Sequence, residues 1–436
     1  MKQERFFSAL LACLVLLGFL QSCTGSFPAA QELNSQADTP GKLSQIDLLC
    51  QQAVEQSAIP GIMAFVSRGG KTVYHKAHGM ADLQSGREMK TDDIFRIASQ
   101  SKAITATAVM TLWEQGHFQL DDLISDYIPE FKEPVLLNTF DSSDSSFTTT
   151  PALSEITIRQ LLSHTSGVGY GGIEGNTTFE MIYEKAGIVT LATTDDLSIE
   201  ENVKRLASVP LLSNPGEAEN YSMGLDILGY LVEIVSGMPF DMYLRTQIFD
   251  PLEMDETWFY LPDSLANRLV PVYSKTEEGL WVPCPLDDFD RDFPITGARR
   301  LFSGGAGLSS TAEDYATFLE MYLHKGTLKG QQILQSTTVD TIMANQVGSL
   351  WGEDPEAFYG LAFMVISEKG GAEWDQGNAG TFSWAGYFNT SYFADPKTQT
   401  IGLLFMQSET ISGEDDKKTG ALHEQFRSLV LSEIEN

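Results

Sequence analysis

The chain is poor in cysteine and in basic residues, and each shortage excludes a class of protein. Its four cysteines are not spaced as zinc ligands and its six histidines form no H-E-x-x-H, so we predict no metal centre and no cofactor. The 28 Lys and Arg residues stand against 59 Asp and Glu residues, a net charge of −31. Long-range repulsion therefore opposes nucleic acid and anionic membrane surfaces as partners.

The apolar run at the N-terminus, residues 6–20, is too short to span a bilayer comfortably and fits the core of an export signal. Leu20-Gln21-Ser22-Cys23 then resembles a bacterial lipobox. We therefore predict a lipoprotein signal peptide over 1–22, lipidation of Cys23 and a polar tether over 23–41. The protein would be exported, face the periplasm or cell surface, and touch a membrane only through that anchor. A plain secretory signal with an unmodified Cys23 is the alternative.

Two cysteines, Cys50 and Cys284, would remain in the mature domain without a lipid. In an oxidising compartment they can pair, but their separation in the chain does not show that their backbones meet. Two buried thiols are the other interpretation.

Strand patterns lie at both ends of the remaining chain, and helical patterns fill its middle. The segments 61–67 and 71–78 flank a Gly-Gly turn, which is typical of a β-hairpin. This arrangement predicts an α+β domain whose sheet is built from both ends of the chain around an inserted helical region, with a cleft between the two. The expected bounds are 42–436 for the domain, about 42–97 and 355–436 for the sheet region, about 98–354 for the helical region, 360–367, 381–394 and 400–407 for late strands, 369–371 for a turn, and 141–151 for a surface loop.

Ser99 and Lys102 are the first candidates for chemistry. If the apolar run 99–114 is helical, both side chains stand on one face of its first turn. A desolvated Lys can be neutral enough to take the proton of a serine hydroxyl, and a helix N-terminus favours negative charge that develops nearby. S-x-x-K also arises by chance, so the residues that accompany it must decide whether it is a catalytic motif.

Two later stretches offer such partners. A Pro-Gly turn delivers Tyr221 just ahead of a helix, where a phenol near a Lys can shuttle protons, although a tyrosine so flanked is more often only packed. The strand candidate 380–389 has small residues that let a ligand approach its backbone. An NH there can form an oxyanion hole with the NH of Ser99, and a buried aromatic strand is the alternative. We interpret His164 as structural.

In this order the motifs resemble the penicillin-recognising serine hydrolases, which include class C β-lactamases, D-alanyl-D-alanine peptidases and family VIII carboxylesterases. The resemblance implies a β-lactamase/transpeptidase-like fold, with an antiparallel sheet flanked by helices. It also implies a two-step reaction in which Ser99 forms an acyl-enzyme while Lys102 and Tyr221 move the protons. It extends over about residues 45–432 and includes the supporting stretches 161–168, 221–229 and 304–314.

Two departures from the family pattern bear on the substrate. Where β-lactamases and peptidases have K-T-G or H-x-G, this strand has Trp384-Ala385-Gly386, which resembles the family VIII esterases. An indole cannot bind the carboxylate of a β-lactam or peptide as a cation would. Met223 stands where Asn or Ser is usual, so an amide hydrogen bond to an acylamide side chain is lost. Lys418-Thr419-Gly420 lies too near the C-terminus to replace the motif, and we interpret Lys418 as a surface charge flanking a helix.

These patterns predict a serine hydrolase that cleaves a small-molecule ester or amide, carboxylic esters above all. Contacts to the substrate or oxyanion are assigned to Ser99, Met223, Trp384, Ala385, Gly386 and Tyr387. The alternatives are a β-lactamase or D-amino-acid peptidase, and a non-catalytic binding or sensor protein on the same fold. An α/β-hydrolase is disfavoured because the chain contains no G-x-S-x-G.

Overall fold

The computed structural model describes residues 42–285, 290–374, 376–409 and 414–432. The predicted signal peptide, the lipidated Cys23 and the tether lie outside these ranges and stay predictions.

One antiparallel sheet of eight strands organises the molecule. Two neighbouring strands inside this sheet come from opposite ends of the chain, since the strand with Phe65 pairs with the strand that contains Leu403. On its other side, Phe65 lies opposite His75 of the next strand along the chain. The predicted α+β architecture, with a sheet assembled from both ends of the chain, is confirmed. In spatial order the strands are β12 (Ala357–Tyr359), β13 (Met364–Ile366), β14 (Phe382–Gly386), β15 (Thr390–Asp395), β16 (Thr400–Phe405), β1 (Gly61–Arg68), β2 (Lys71–Asp82) and β3 (Arg87–Glu88).

Both faces of this sheet are covered, which explains why β1 reads as a nearly continuous apolar run. Met63 and Phe65 point into the large core shared with the helical region. Ile62 and Val66 point into a smaller core on the opposite face. Each such side chain contributes about 1.5–3 kcal/mol when fully buried. The helices α1 (Lys42–Glu55) and α12 (Glu414–Ser432) close the smaller core.

A central helix, α2 (Ser101–Glu114), joins the helical region to the sheet. Residues 101–112 of this helix are all buried, so it has no solvent-facing side along that length. It packs against α6 (Gly224–Ser236). The other α-helices are α3 (Ile158–Leu162), α4 (Thr177–Ala186), α5 (Ile199–Ala207), α7 (Phe240–Leu244), α8 (Asp250–Leu252), α9 (Ala312–Leu323), α10 (Ser336–Met343) and α11 (Glu368–Glu373).

Short strands and turns connect these elements. A π-helical turn, Arg245–Phe249, follows α7. The small sheets are β4 (Phe95–Arg96) with β9 (Ser309–Ser310), β5 (Val135–Asp141) with β6 (Ser146–Pro151), β10 (Thr327–Leu328) with β11 (Gln331–Gln332), and β7 (Tyr273–Lys275) between β8 (Trp281–Pro283) and β17 (Ser408–Glu409); the 3₁₀ turns are Ala98–Gln100, Ile124–Asp126, Pro129–Phe131, Gly171–Glu174 and Ala266–Arg268.

Several local predictions can now be compared with the structure. The hairpin over 61–78 is confirmed as β1 and β2. The surface loop predicted over 141–151 is wrong, because most of that segment is strand β6 of a hairpin. Lys418 lies within α12 rather than beside a helix, and its side chain is exposed. Cys50 and Cys284 are not disulfide-bonded; both are buried thiols.

The described residues contain no single helix that is both long and apolar enough to cross a bilayer. The bent pair 224–236 and 240–252, with 79° between its halves, meets those requirements only when the two helices are taken together.

Candidate active site

Ser99 lies in a 3₁₀ turn, Ala98–Gln100, that leads directly into α2. The residue before it, Ala98, has a φ of 43°, a conformation that costs free energy for a residue with a Cβ. The first turn of the helix then places the Lys102 Nζ 3.2 Å from the Ser99 Oγ. The i,i+3 pairing predicted from the sequence is therefore present.

Lys102 is a completely buried cation with few partners. Its Nζ donates to the carbonyl oxygen of Gly305 at 2.8 Å and lies 3.4 Å from the Tyr170 hydroxyl. Burial lowers the pKa of Lys102 to about 7, and the negative charge of Asp226 acts in the opposite direction. At neutral pH a large share of this amine is therefore unprotonated and can accept a proton from Ser99.

Tyr221 also lies close to the Lys102 amine. The Lys102 Nζ lies 4.6 Å from the centre of the Tyr221 ring, and the ring of Trp384 lies 5.8 Å from it. The Lys102 amine therefore lies near both the Ser99 hydroxyl and the ring of Tyr221, and the catalytic roles of the three residues stay predictions. Met223 is the N-cap residue of α6, two positions after this tyrosine, but it is only 1% exposed and packs in the large core. Its contact with a substrate stays a prediction.

Strand β14 forms the wall opposite Ser99. Trp384, Ala385 and Gly386 are all partly exposed, and Tyr387 follows at the end of the strand. A Cβ on Gly386 would overlap the carbonyl oxygen of Ile97, so only glycine lets the strand come this close to the Ser99 turn. The backbone at Gly386 and Tyr387 consequently lies against the turn that carries the nucleophile.

His164 is buried and supports Tyr221 from behind. Its ring lies 4.7 Å from the Tyr221 ring, and its Nδ1 is 2.9 Å from the Ser222 Oγ. Burial, and to a lesser extent the charge of Lys102, holds the pKa of His164 well below its usual range. A neutral imidazole that packs on the tyrosine fits the structural role predicted for it.

Sequence reasoning missed three residues that surround Lys102. Tyr170 places its buried hydroxyl near the amine, and burial raises the pKa of that hydroxyl well above its usual range. Asp226 is buried on α6 and accepts a hydrogen bond from Ser303 at 2.6 Å. Gly305 leaves no room for a side chain, because a Cβ there would overlap Asp226. Tyr170 follows a stretch already noted for its family likeness, and Gly305 sits in another, so those stretches were the available signal.

Comparisons with known proteins show the family and the fold of the chain. The family model described as Beta-lactamase matches residues 46–425. The chain is 29% identical over 402 residues to the protein named Esterase EstB from Burkholderia gladioli, covering 89% of this chain and 95% of that one. Among solved structures, EstCE1, described as a hydrolase with promiscuous acyltransferase activity, superposes with a TM-score of 0.72 at 27% identity, covering 89% of this chain and 98% of that one.

A penicillin-binding protein homologue from Pyrococcus abyssi shares the fold, with a TM-score of 0.65 at 20% identity over 88% of this chain and 76% of that one. A partly exposed serine beside a buried lysine, a family match over most of the chain and esterase-type relatives lead to one assignment. The chain belongs to the Beta-lactamase family and is a carboxylesterase-like, β-lactamase-related serine hydrolase.

Proposed function

We propose that the protein cleaves carboxylic esters through an acyl-enzyme on Ser99, with Lys102 and Tyr221 transferring the protons. One observation carries the proposal. The Lys102 amine, whose pKa is lowered to about 7, lies 3.2 Å from the hydroxyl of Ser99, which is partly exposed. A neutral amine at hydrogen-bond distance from a serine is what a general base requires.

In the first step the Ser99 Oγ attacks the ester carbonyl carbon and its proton passes to the Lys102 Nζ. The carbonyl oxygen becomes an oxyanion, held by the backbone NH groups of Ser99 and Tyr387. The carbon–oxygen bond to the alcohol then breaks, and the proton taken up by Lys102 reaches the departing alkoxide by way of the Tyr221 hydroxyl. Water attacks the acyl-enzyme along the same proton path, releasing the acid and restoring Ser99.

The wall that faces Ser99 favours esters over β-lactams and peptides. Trp384 packs on Tyr221 and on Tyr359, with ring centres 5.8 and 5.2 Å apart, and it stands where a cation would bind a substrate carboxylate. An indole gives instead an apolar, aromatic surface suited to the uncharged part of an ester. We further propose that the substrate is met outside the cytoplasm, on a protein anchored through Cys23.

The test compares three substrate classes with one purified protein: p-nitrophenyl esters of short acids, nitrocefin and a D-Ala-D-Ala peptide. We expect turnover of the esters above all, and a loss of at least about 10³-fold in kcat/KM for Ser99→Ala. Ser85→Ala, which removes an exposed hydroxyl bound to Asp82, is the matched control and keeps full activity. Turnover of nitrocefin or the peptide in preference to every ester would contradict the proposal, as would ester turnover that survives in Ser99→Ala.

A further inference from the structure

The segment 406–409 contacts strand β4, just before the turn of Ser99, and the turn that follows β14. The turn of Ser99 and the turn that follows β14 are far apart in the chain, and their relative position decides where the two oxyanion NH groups point. Between them runs this short segment, which continues β16 and contains β17. Its polar groups bind β4 on one side and the turn after β14 on the other.

Gln407 holds the nucleophile side. Its Oε1 accepts a hydrogen bond from the backbone NH of Arg96 at 3.0 Å, and its Nε2 donates to the carbonyl oxygen of Arg96 at 3.1 Å. The Gln407 residue is only 3% exposed, and its Nε2 also donates to the carbonyl oxygen of Met406 at 3.0 Å, so this side-chain amide bonds to backbone rather than to water. Strand β4, which ends at Arg96 three residues before Ser99, is thereby fixed to the segment.

Ser408 and Glu409 hold the oxyanion side. The Ser408 carbonyl oxygen accepts from the Asn389 Nδ2 at 2.9 Å, in a turn where Asn389 has a φ of 62°. The Glu409 Oε1 accepts from the Tyr387 hydroxyl at 2.8 Å, while its other oxygen accepts from the Cys284 thiol at 3.1 Å. The side chain of Tyr387 is therefore tied by a charge-assisted hydrogen bond, the stronger kind.

We propose that Glu409 and Gln407 are positioning residues, which fix the distance between Ser99 and the backbone NH of Tyr387 and so preorganise the oxyanion hole. The inference rests on the proposed function and concerns the same site. A donor that is already in place when charge develops stabilises the transition state more than the bound ester. Tyr387 and Ala98 also pack in one small apolar cluster with Cys284 and Phe388, so a shift of the tyrosine acts on the strained residue before Ser99.

The experiment compares Tyr387→Phe, Glu409→Ala, their double variant and Glu409→Gln on p-nitrophenyl ester turnover. We expect the two single variants to lower kcat about tenfold with KM nearly unchanged, because a misplaced donor affects the transition state. The affinity of a boronic acid, which forms a tetrahedral adduct on Ser99, should fall by a similar factor. The double variant should be no worse than either single one, and Glu409→Gln should retain most activity, since its amide oxygen still accepts from Tyr387.

Tyr74→Phe is the matched control. It removes another tyrosine-to-carboxylate hydrogen bond, 2.7 Å to Asp47, beneath α1 on the opposite face of the sheet, and it should leave kcat unchanged. Unchanged kcat in Tyr387→Phe, a rise in KM alone, or losses that multiply in the double variant would each overturn the positioning role. Tyr387→Phe removes one oxygen atom, so it decides the matter even where Glu409→Ala does not fold. Absence of ester turnover by the unaltered protein would instead contradict the proposed function itself.

Discussion

Two cations are buried on either side of Ser99, Arg96 in strand β4 and Lys102 in helix α2. The guanidinium of Arg96 donates to the carbonyl oxygens of Phe293 at 2.8 Å and Val270 at 3.0 Å, and also to that of Arg291. Burial lowers the pKa of Arg96 only to about 10, so it stays charged at neutral pH. The same burial lowers the pKa of Lys102 to about 7.

The two cations differ in the chemistry of their charged groups and in the number of hydrogen-bond acceptors around them. A guanidinium spreads its charge over several donors that backbone carbonyls can satisfy together. The ammonium of Lys102 has one strong acceptor, Gly305, and two weaker hydroxyl contacts. A buried cation thus serves structure when its donors are saturated, and serves proton transfer when they are not.

Replacing Lys102 with Met should have the largest effect on activity of the changes that test the difference between the two cations. We expect kcat/KM for esters to fall by at least about 10³-fold, since Ser99 loses its base. Stability should move the other way. The amine has a pKa of 10.5 when exposed and about 7 when buried, so the unfolded chain binds more protons between these values. Burial of this amine therefore lowers the free energy of unfolding, fully below about pH 7 and progressively less as the pH rises to 10.5.

Met removes that cost but also leaves the Gly305 carbonyl without its donor, so the net effect should be a gain of about 2 kcal/mol at pH 7 and a loss of about 1–2 kcal/mol at pH 10. Thermal unfolding at both pH values measures it. If the Tm of Lys102→Met at pH 7 were lower than that of the unaltered protein, burial of Lys102 would not carry this free-energy cost.

The same substitution at Arg96 should have the opposite sign. Arg96→Met leaves three backbone carbonyls without their donor, which costs about 3–5 kcal/mol, but it also removes the cost of about 3 kcal/mol that the lowered pKa of Arg96 implies. We therefore expect a net loss of about 1–2 kcal/mol in the free energy of unfolding. Denaturant unfolding measures this loss, with Lys102→Met as the matched control because both changes replace a buried cation by the same apolar side chain. Equal stability of the two variants would remove the distinction between a structural and a catalytic cation.

A smaller effect tests how Asp226 tunes the lysine. The carboxylate raises the pKa of Lys102, so Asp226→Asn should lower that pKa further and shift the acidic limb of the kcat/KM profile to lower pH. The amide can still accept from Ser303, which keeps the local packing. A profile that stays in place, or moves to higher pH, would show that the charge of Asp226 does not raise the pKa of Lys102.

The sequence predicted those features of the site that depend on local geometry. Ser99 and Lys102 are three residues apart in one helical turn, and helix geometry alone brings them together. The hairpin of β1 and β2 followed in the same way from alternation and a Gly-Gly turn. Tyr221 and the strand with Trp384 were singled out from a Pro-Gly turn and from small residues, but nothing local links them to Ser99, and only the family resemblance joined the three.

Features set by tertiary packing escaped prediction. Gly370 suggested a turn, but it lies in helix α11. A Cβ there would overlap the carbonyl oxygen of Glu356, so glycine is needed because the helix lies close to the backbone at Glu356. The Thr-rich segment of β6 suggested a loop, yet its β-branched residues pair with β5, whose Leu136 and Leu137 pack on the large core. Tyr170 meets Lys102 only because two distant segments fold together.

The most direct test of the account is the rate at which a fluorophosphonate labels Ser99 between pH 5 and 9. If neutral Lys102 activates the serine, the second-order rate constant should rise about tenfold per pH unit up to a pKa of about 7 and then level off. Mass spectrometry should place the label on Ser99, and Lys102→Met should lose nearly all of it. A rate that does not change across this range, or a label on another residue, would contradict the claim that this buried lysine is the base.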